Sequence, residues 1–353
     1  MQVTNKNFPG RKIKISAQLL EETITCVDSH TGGEPTRLVI GGMPLVKGNT
    51  IREKKQYFTE HYDHLRTTLT GEPRAHAAMH AAIYLPPCTE ETDFGLLFTC
   101  ALGNIDMCGH ALIGSVVSGI EAGVIIAEEP ETKLIIETPA GIMKVTVHIS
   151  KGKVENVTFR NQPSFAYKCN LELDVVNLTR LKVDIAFGGN WYVIVDSSQV
   201  GIDICVENLP KFAEATKNIL ATVNSEVEAK HPDRDKAEKI KQLLFMASPT
   251  NPAANGKNLV TSLELGFDRS PCGTGSCAKM SLLYARGELN LNEKYVHESG
   301  IVGTMFSSQL VEAQKVGEFD AVVPEITGTA YITSVNQIII DPRDPLKHGF
   351  YVS

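Results

Sequence analysis

The chain contains no run approaching 18 consecutive apolar residues, the least that a membrane-spanning helix requires. It also has no long basic block, the largest clusters being 11–14 and 52–55. Lys and Arg number 34 against 41 Asp and Glu, a net charge of −7. A dedicated nucleic-acid binder needs a basic stripe to track phosphates, so that class is excluded and no nucleic-acid or membrane partner is expected. No two cysteines stand in a Cys-x-x-Cys pair, which argues against a structural zinc site and against a dithiol redox centre. Gly273–Gly275 is followed by no Gly-Lys-Ser/Thr, so it is not a nucleotide phosphate loop. The first residues carry positive charge but no apolar core and no small-residue cleavage site. They do not read as a signal peptide, and the expected compartment is cytoplasmic. Eight cysteines in such a chain are expected to be thiols.

What is present is a globular balance: 353 residues, 42 % hydrophobic and 21 % charged. That length predicts about two domains with an ample core. Residues 1–21 are polar and aperiodic and read as an N-terminal extension. Short strands are predicted at 24–27, 37–40, 94–100, 134–137 and 143–149, with a turn over 28–35. An amphipathic helix is predicted over 51–67. The pattern restarts near 154, with strands at 154–160, 181–187, 192–196 and 258–265. A helix is predicted over 209–227, with Pro210 in its first turn, and a further helical piece over 233–244. Strands recur at 304–311, 321–323, 327–333 and 337–341. The class is mixed α/β (α+β) without the regular βαβ alternation of a doubly wound sheet.

One internal repeat carries chemistry. Residues 108–123 read CGHALIGSVVSGIEAG and residues 272–287 read CGTGSCAKMSLLYARG. Both open on Cys-Gly, continue in small and apolar residues at helical spacing, and close on Gly at the same offset. Gly123 and Gly287 suit the position just past a helix C-terminus. Two cysteine-headed helices suggest two related lobes, each contributing one. The unpaired N–H groups and the dipole at a helix N-terminus stabilise an anion, which predicts a lowered thiol pKa. The same N–H groups can hold a carboxylate. Gly109 and Gly273 remove side-chain bulk where a ligand would approach. Facing each other, the two thiols would flank the α-carbon of a small carboxylic acid. One would remove its proton and the other return one from the opposite face. Such an inversion needs no electron-sink cofactor if the site is dry and stabilises the carbanionic transition state.

The segments VDSHTGGEPTRLVIGG (27–42), GEPRAH (71–76), DMCGH (106–110), TPAGIM (138–143), FGGNWY (187–192), DRSPCGTGS (268–276) and DPLKHGF (344–350) together resemble the proline racemase and hydroxyproline epimerase family. That family shares its fold with diaminopimelate epimerase. The resemblance implies two pseudo-symmetric lobes, each a mixed, largely antiparallel sheet wrapped around a central helix. Lobe one would take 22–155 and 335–353 and carry Cys108. Lobe two would take 156–334 and carry Cys272. The resemblance further implies that Cys108 and Cys272 are the acid/base thiols. The backbone N–H groups of Gly109, His110, Gly273 and Thr274 would bind the substrate carboxylate, and His110 and Asp268 would contact its amine and the thiols. Independence of pyridoxal phosphate and metals, a proline-like amino acid as substrate, and a homodimeric assembly follow from it as well.

Departures from the family pattern bear on substrate. Where proline racemases resemble RGHxDMFG, this chain reads RAHAAMHA, placing His80 at a Phe position. Ser262, six residues before Asp268, stands at another position that is often Phe in proline racemases. Ala111 replaces a common Gly in the first helical turn. Two polar groups in place of apolar rings suit a substrate hydroxyl, so 4-hydroxyproline is expected in preference to proline. Proline racemisation, or a broader amino-acid racemisation, is the alternative. The related branch that dehydrates trans-3-hydroxyproline replaces one cysteine by Ser or Thr, whereas both cysteines stand here. A silent amino-acid-binding protein or a thiol redox protein is the reading from another class. His30 is read as a turn residue or a substrate contact, Trp191 as a wall near the cleft, and the remaining cysteines as structural.

Overall fold

Alternation decides which strands are half-exposed. In strand Gly141–Ser150, Met143, Val145, Val147 and Ile149 are buried while their neighbours are not, the two-residue period of a sheet with one wet face. Strand Phe94–Cys100 is buried at every position, as a short continuous apolar run covered on both faces should be. The computed structural model describes residues 23–264 and 266–352. The extension expected at 1–21 lies outside the described residues.

The chain builds the same hydrogen-bonding pattern twice. Strand Thr23–Thr31 pairs antiparallel with Glu34–Gly41, which pairs parallel with His80–Leu85. His80–Leu85 pairs antiparallel with Phe94–Cys100, which lies parallel to Glu131–Thr138. Gly141–Ser150 and Lys153–Arg160 then follow antiparallel. In the second half Arg180–Phe187 pairs antiparallel with Trp191–Asp196, which lies parallel to Gln242–Ala247. Gly256–Ser262 is antiparallel to that strand and parallel to Tyr295–Ser299. Met305–Val316 and Phe319–Gly328 complete the series antiparallel.

The halves are sewn together by exchange. Ala330–Ile339, from the end of the chain, pairs with Thr23–Thr31 in the first half. Ser164–Asp174 pairs with Arg180–Phe187 in the second. Lys153–Arg160 and Phe319–Gly328 pair across the seam. The crossings expected near 155 and 335 fall inside strands Lys153–Arg160 and Ala330–Ile339.

Four α-helices of the described residues occupy matching places. We label them α1 (Ile51–Thr70), α2 (Gly109–Glu121), α3 (Leu209–Glu226) and α4 (Gly273–Ala285). In each half, one helix joins the second strand to its parallel neighbour and the next lies between the two strands of the second parallel pair. The central helices α2 and α4 are buried from Gly109 to Gly119 and from Gly273 to Leu283. An all-round apolar or small surface belongs to a helix enclosed by its sheet. Both end alike: Gly123 and Gly287 each have φ of 72°. The N–H groups of Val124 and Glu288 reach back to Gly119 and Leu283, the Schellman closure that a left-handed glycine allows.

Two local expectations are corrected. Residues 233–244 are not helical: a turn follows Pro232, with Arg234 N–H donating to His231 O, and strand Gln242–Ala247 takes the end. The segment is crowded with charges and lacks an apolar stripe to bury, so nothing draws it into a helix. The turn predicted over 28–35 is confined to Gly32–Gly33, at φ of 59° and 99°, because the flanking residues are taken up in strand pairing.

Candidate active site

Cys108 is the N-cap of α2, with extended backbone at φ −145°. Cys272 is the N-cap of α4 at φ 66°, a left-handed conformation that a residue with a Cβ adopts only when its surroundings impose it. The constraints are visible. Cys272 N–H donates to Ser270 Oγ at 3.0 Å, and Asn258 Nδ2 donates to the Pro271 carbonyl at 3.0 Å. Gly275 N–H donates to Cys272 Sγ at 3.4 Å.

The two helix ends meet at glycine. A Cβ on Gly109 would lie 3.1 Å from Gly273 Cα and 2.9 Å from Phe159 Cζ. A Cβ on Gly273 would in turn lie 3.1 Å from Gly109 Cα. Both helix mouths open into one cavity of about 430 Å³. Its lining contains Cys108, Gly109, His110, Cys272, Gly273, Thr274, Asp268, His80 and Ser262. The structure thus brings together every residue singled out as catalytic or substrate-binding.

The surroundings of the sulfurs differ. On one side His110 Nδ1 lies 3.4 Å from Cys108 Sγ. The His110 ring meets His80 edge-on, centroids 4.5 Å apart. His80 Nδ1 donates to the Ala78 carbonyl at 3.1 Å. His80, Cys108 and His110 bring three potential metal-ligand atoms within 4.8 Å of one another. On the other side Tyr192 Oη is 3.5 Å from Cys272 Sγ and 2.7 Å from Thr274 Oγ1. Asp268 stands close enough to the Cys272 thiol to raise it and accepts from Ser270 N–H and Oγ, each at 2.8 Å.

Burial reverses one expectation. Both thiols are pushed well above the ordinary range, first by desolvation. For Cys272 the charge of Asp268 adds to it, while the Tyr192 hydroxyl and the Gly275 N–H oppose it. The helix N-terminus acts in the predicted direction, but removal from water outweighs it. Desolvation also raises Asp268, holds His110 well below its usual value, and lowers His80 to about 4. Without ligand, the site favours neutral groups.

Several lining residues escaped the sequence reading, among them Tyr192, Asn190 and Glu34. Tyr192 ends the segment FGGNWY and Asn190 precedes it by two, donating to Thr274 Oγ1 at 3.4 Å. Glu34 is 3 % exposed and accepts from Arg269 N–H at 2.8 Å. Its carboxyl is raised well above the usual range by burial and by nearby Asp268. Both motifs were visible, but a tyrosine and a glutamate inside them gave no separate signal. His30 is absent from the lining and accepts from Gly33 N–H at 3.2 Å, the turn role. Trp191 lines the cavity. Cys26, Cys88, Cys100, Cys169 and Cys205 stand outside it, and Cys277 is a fully buried core thiol. No helix of the described residues is long and apolar enough to cross a membrane.

Known proteins resemble this chain in sequence and in fold. The sequence pattern of proline racemases matches residues 26–351. A proline racemase of Clostridioides difficile is 44 % identical over 328 residues, covering 93 % of this chain and 98 % of the relative. A 4-hydroxyproline 2-epimerase of Shewanella loihica is 37 % identical over 334 residues, covering 95 % and 100 %. A solved hydroxyproline epimerase from Agrobacterium vitis, with bound trans-4-hydroxy-L-proline, superposes with a TM-score of 0.86 at 27 % identity, covering 94 % of this chain and 96 % of that one. A Bacillus anthracis protein of the PhzF family, at 16 % identity and a TM-score of 0.60, covering 90 % and 99 %, shares the fold alone.

Proposed function

Since the chain belongs to the proline racemase family and is an isomerase of the racemase and epimerase kind, we propose that it inverts the α-carbon of 4-hydroxyproline with two thiols, interconverting trans-4-hydroxy-L-proline and cis-4-hydroxy-D-proline. The observation that carries the reading is the meeting of two cysteine-headed helices at Gly109 and Gly273 within one cavity.

The substrate carboxylate lies on the first-turn N–H groups of both helices, from Gly109, His110, Gly273 and Thr274. Its ammonium group faces the acidic side, where Asp268 and Glu34 line the wall. A bare thiolate is disfavoured in this buried space, but the substrate brings a positive charge into it. That charge offsets the desolvation that keeps the empty site neutral, so that one of the two thiols releases its proton to solvent and becomes a thiolate. One thiolate then takes the α-proton to become a thiol, and the electron pair left on carbon spreads into the carboxylate. The opposite thiol delivers its proton to the other face and becomes the thiolate. No electron-sink cofactor enters this sequence.

His80 and Ser262 support the substrate assignment. His80 Nδ1 donates to Ala78, so the neutral ring keeps Nε2 as an acceptor for a hydroxyl. A plain proline ring leaves that acceptor unpaired. Proline racemisation is the second reading, favoured by the higher identity to the C. difficile proline racemase. Exchange of the α-proton in D₂O, measured over proline, both 4-hydroxyprolines, trans-3-hydroxyproline and acyclic amino acids, tests the choice. The larger kcat/KM is expected for 4-hydroxyproline. A clear preference for proline sinks the roles given to His80 and Ser262. Absence of exchange with every substrate sinks the reaction itself.

A further inference from the structure

His80, Cys108 and His110 differ from the residues around Cys272 in one respect: all three side chains are metal-binding types. Each is buried and lines the cavity. Their ligand atoms lie within 4.8 Å of one another, and Cys108 Sγ is 3.4 Å from His110 Nδ1. Zinc held tetrahedrally, at about 2.3 Å from sulfur and about 2.05 Å from nitrogen, separates those two atoms by about 3.6 Å. The pair is therefore already spaced to share an ion. The His80 ring has to approach by at most about 1.5 Å.

His80 is also tethered as metal-bound histidines are. His80 donates from Nδ1 to the Ala78 carbonyl. A carbonyl on one nitrogen orients the ring and leaves the other nitrogen as the ligand. All three side chains line the cavity, which gives an ion and an exchangeable fourth ligand a path of entry. The Cys272 side offers Tyr192 and Thr274 in place of imidazoles.

We propose that His80, Cys108 and His110 capture a divalent cation of the zinc class, and that capture switches the enzyme off by withdrawing the Cys108 sulfur from proton transfer. Capture replaces the S–H bond with a sulfur–metal bond. The proton leaves to solvent, the two neutral imidazoles donate lone pairs, and no electron is transferred. The site stands on geometry alone, whereas the switch rests on Cys108 acting in catalysis as proposed above.

The full-length enzyme, freed of metal with a chelator, is titrated with cobalt(II) alone and followed by absorption. One ion per chain is expected, with a sulfur-to-cobalt charge-transfer band, the visible bands of tetrahedral cobalt, and one proton released per ion. The band should persist in Cys272→Ala and vanish in Cys108→Ala. His80→Phe should weaken binding by about 10–100-fold, the scale seen even for loss of an outer-shell partner. No charge-transfer band in the unaltered enzyme overturns the site, as does a band that survives Cys108→Ala. The proton count needs no variant, and a count of zero overturns the site equally. Zinc should displace cobalt and abolish α-proton exchange in step with occupancy. Full exchange in an enzyme showing the cobalt band overturns the switch and the catalytic reading of Cys108, while leaving the site standing.

Discussion

Gly273→Ala tests whether contact between the two helix ends gauges the position of the thiols. The new methyl carbon would sit 3.1 Å from Gly109 Cα, a backbone atom that cannot rotate away. Carbon pairs settle at about 3.5–4.0 Å, so the helix ends must part by about 0.5 Å. Misplacement by about 1 Å costs on the order of a hundredfold in rate, so about tenfold is expected here. Overpacking costs about 1–3 kcal/mol. Loss of a flexible glycine from the unfolded chain returns about 0.4–1 kcal/mol. A matched control is Gly123→Ala at the far end of α2, where φ is 72° and nothing lies within 4 Å. The strain of a left-handed alanine costs about 1–2 kcal/mol there, without moving either sulfur. Thermal unfolding and α-proton exchange are measured on both variants. Similar losses of stability should accompany about tenfold slower exchange in Gly273→Ala only. Unchanged exchange in Gly273→Ala, or an equal loss in both, refutes the reasoning.

Tyr192→Phe removes the hydroxyl shared between Cys272 and Thr274. A hydrogen bond to a charged group contributes about 1.5–3 kcal/mol, so kcat should fall by about 10–100-fold with a smaller change in KM. Steady-state kinetics in both directions check it. Because burial raises both thiols, the thiolate of the free enzyme is lost as pH falls. The value of kcat/KM should therefore climb through neutral pH and beyond the ordinary thiol value of about 8.5. A flat profile across that range contradicts it. Arg37→Met should cost about 3–5 kcal/mol in denaturant unfolding by leaving a buried carboxylate unpaired. Arg37 Nε and Nη2 hold Asp28 at 2.9 and 2.8 Å in the interior, and Asp28→Asn in the same chain should restore part of the loss.

The repeat was the legible part of the sequence. Cys-Gly at the start and Gly at the end marked both central helices, and the matching φ of Gly123 and Gly287 is the physical content of that pattern. Alternating residues marked most strands. What remained hidden depends on residues distant in sequence. Tyr192 matters because strand Trp191–Asp196 brings it against Cys272 across 80 residues. Glu34 matters because the fold buries it near Asp268 and Arg269. The thiols illustrate the same limit: a helix N-terminus is a local feature readable from sequence, while desolvation is a property of the enclosing lobes. Residues 233–244 depart from the expected helix because the segment is dominated by charge and its buried residues are drawn into strand Gln242–Ala247.

Early turnover in D₂O tests the two-sulfur inversion most directly. With 4-hydroxyproline as substrate, deuterium should enter the epimeric product while recovered starting material stays unlabelled, because the removed proton and the returned one reside on different sulfurs. Each of Cys108→Ser and Cys272→Ser should abolish conversion. Equal labelling of both epimers from the first turnovers, or conversion surviving either substitution, would contradict the account.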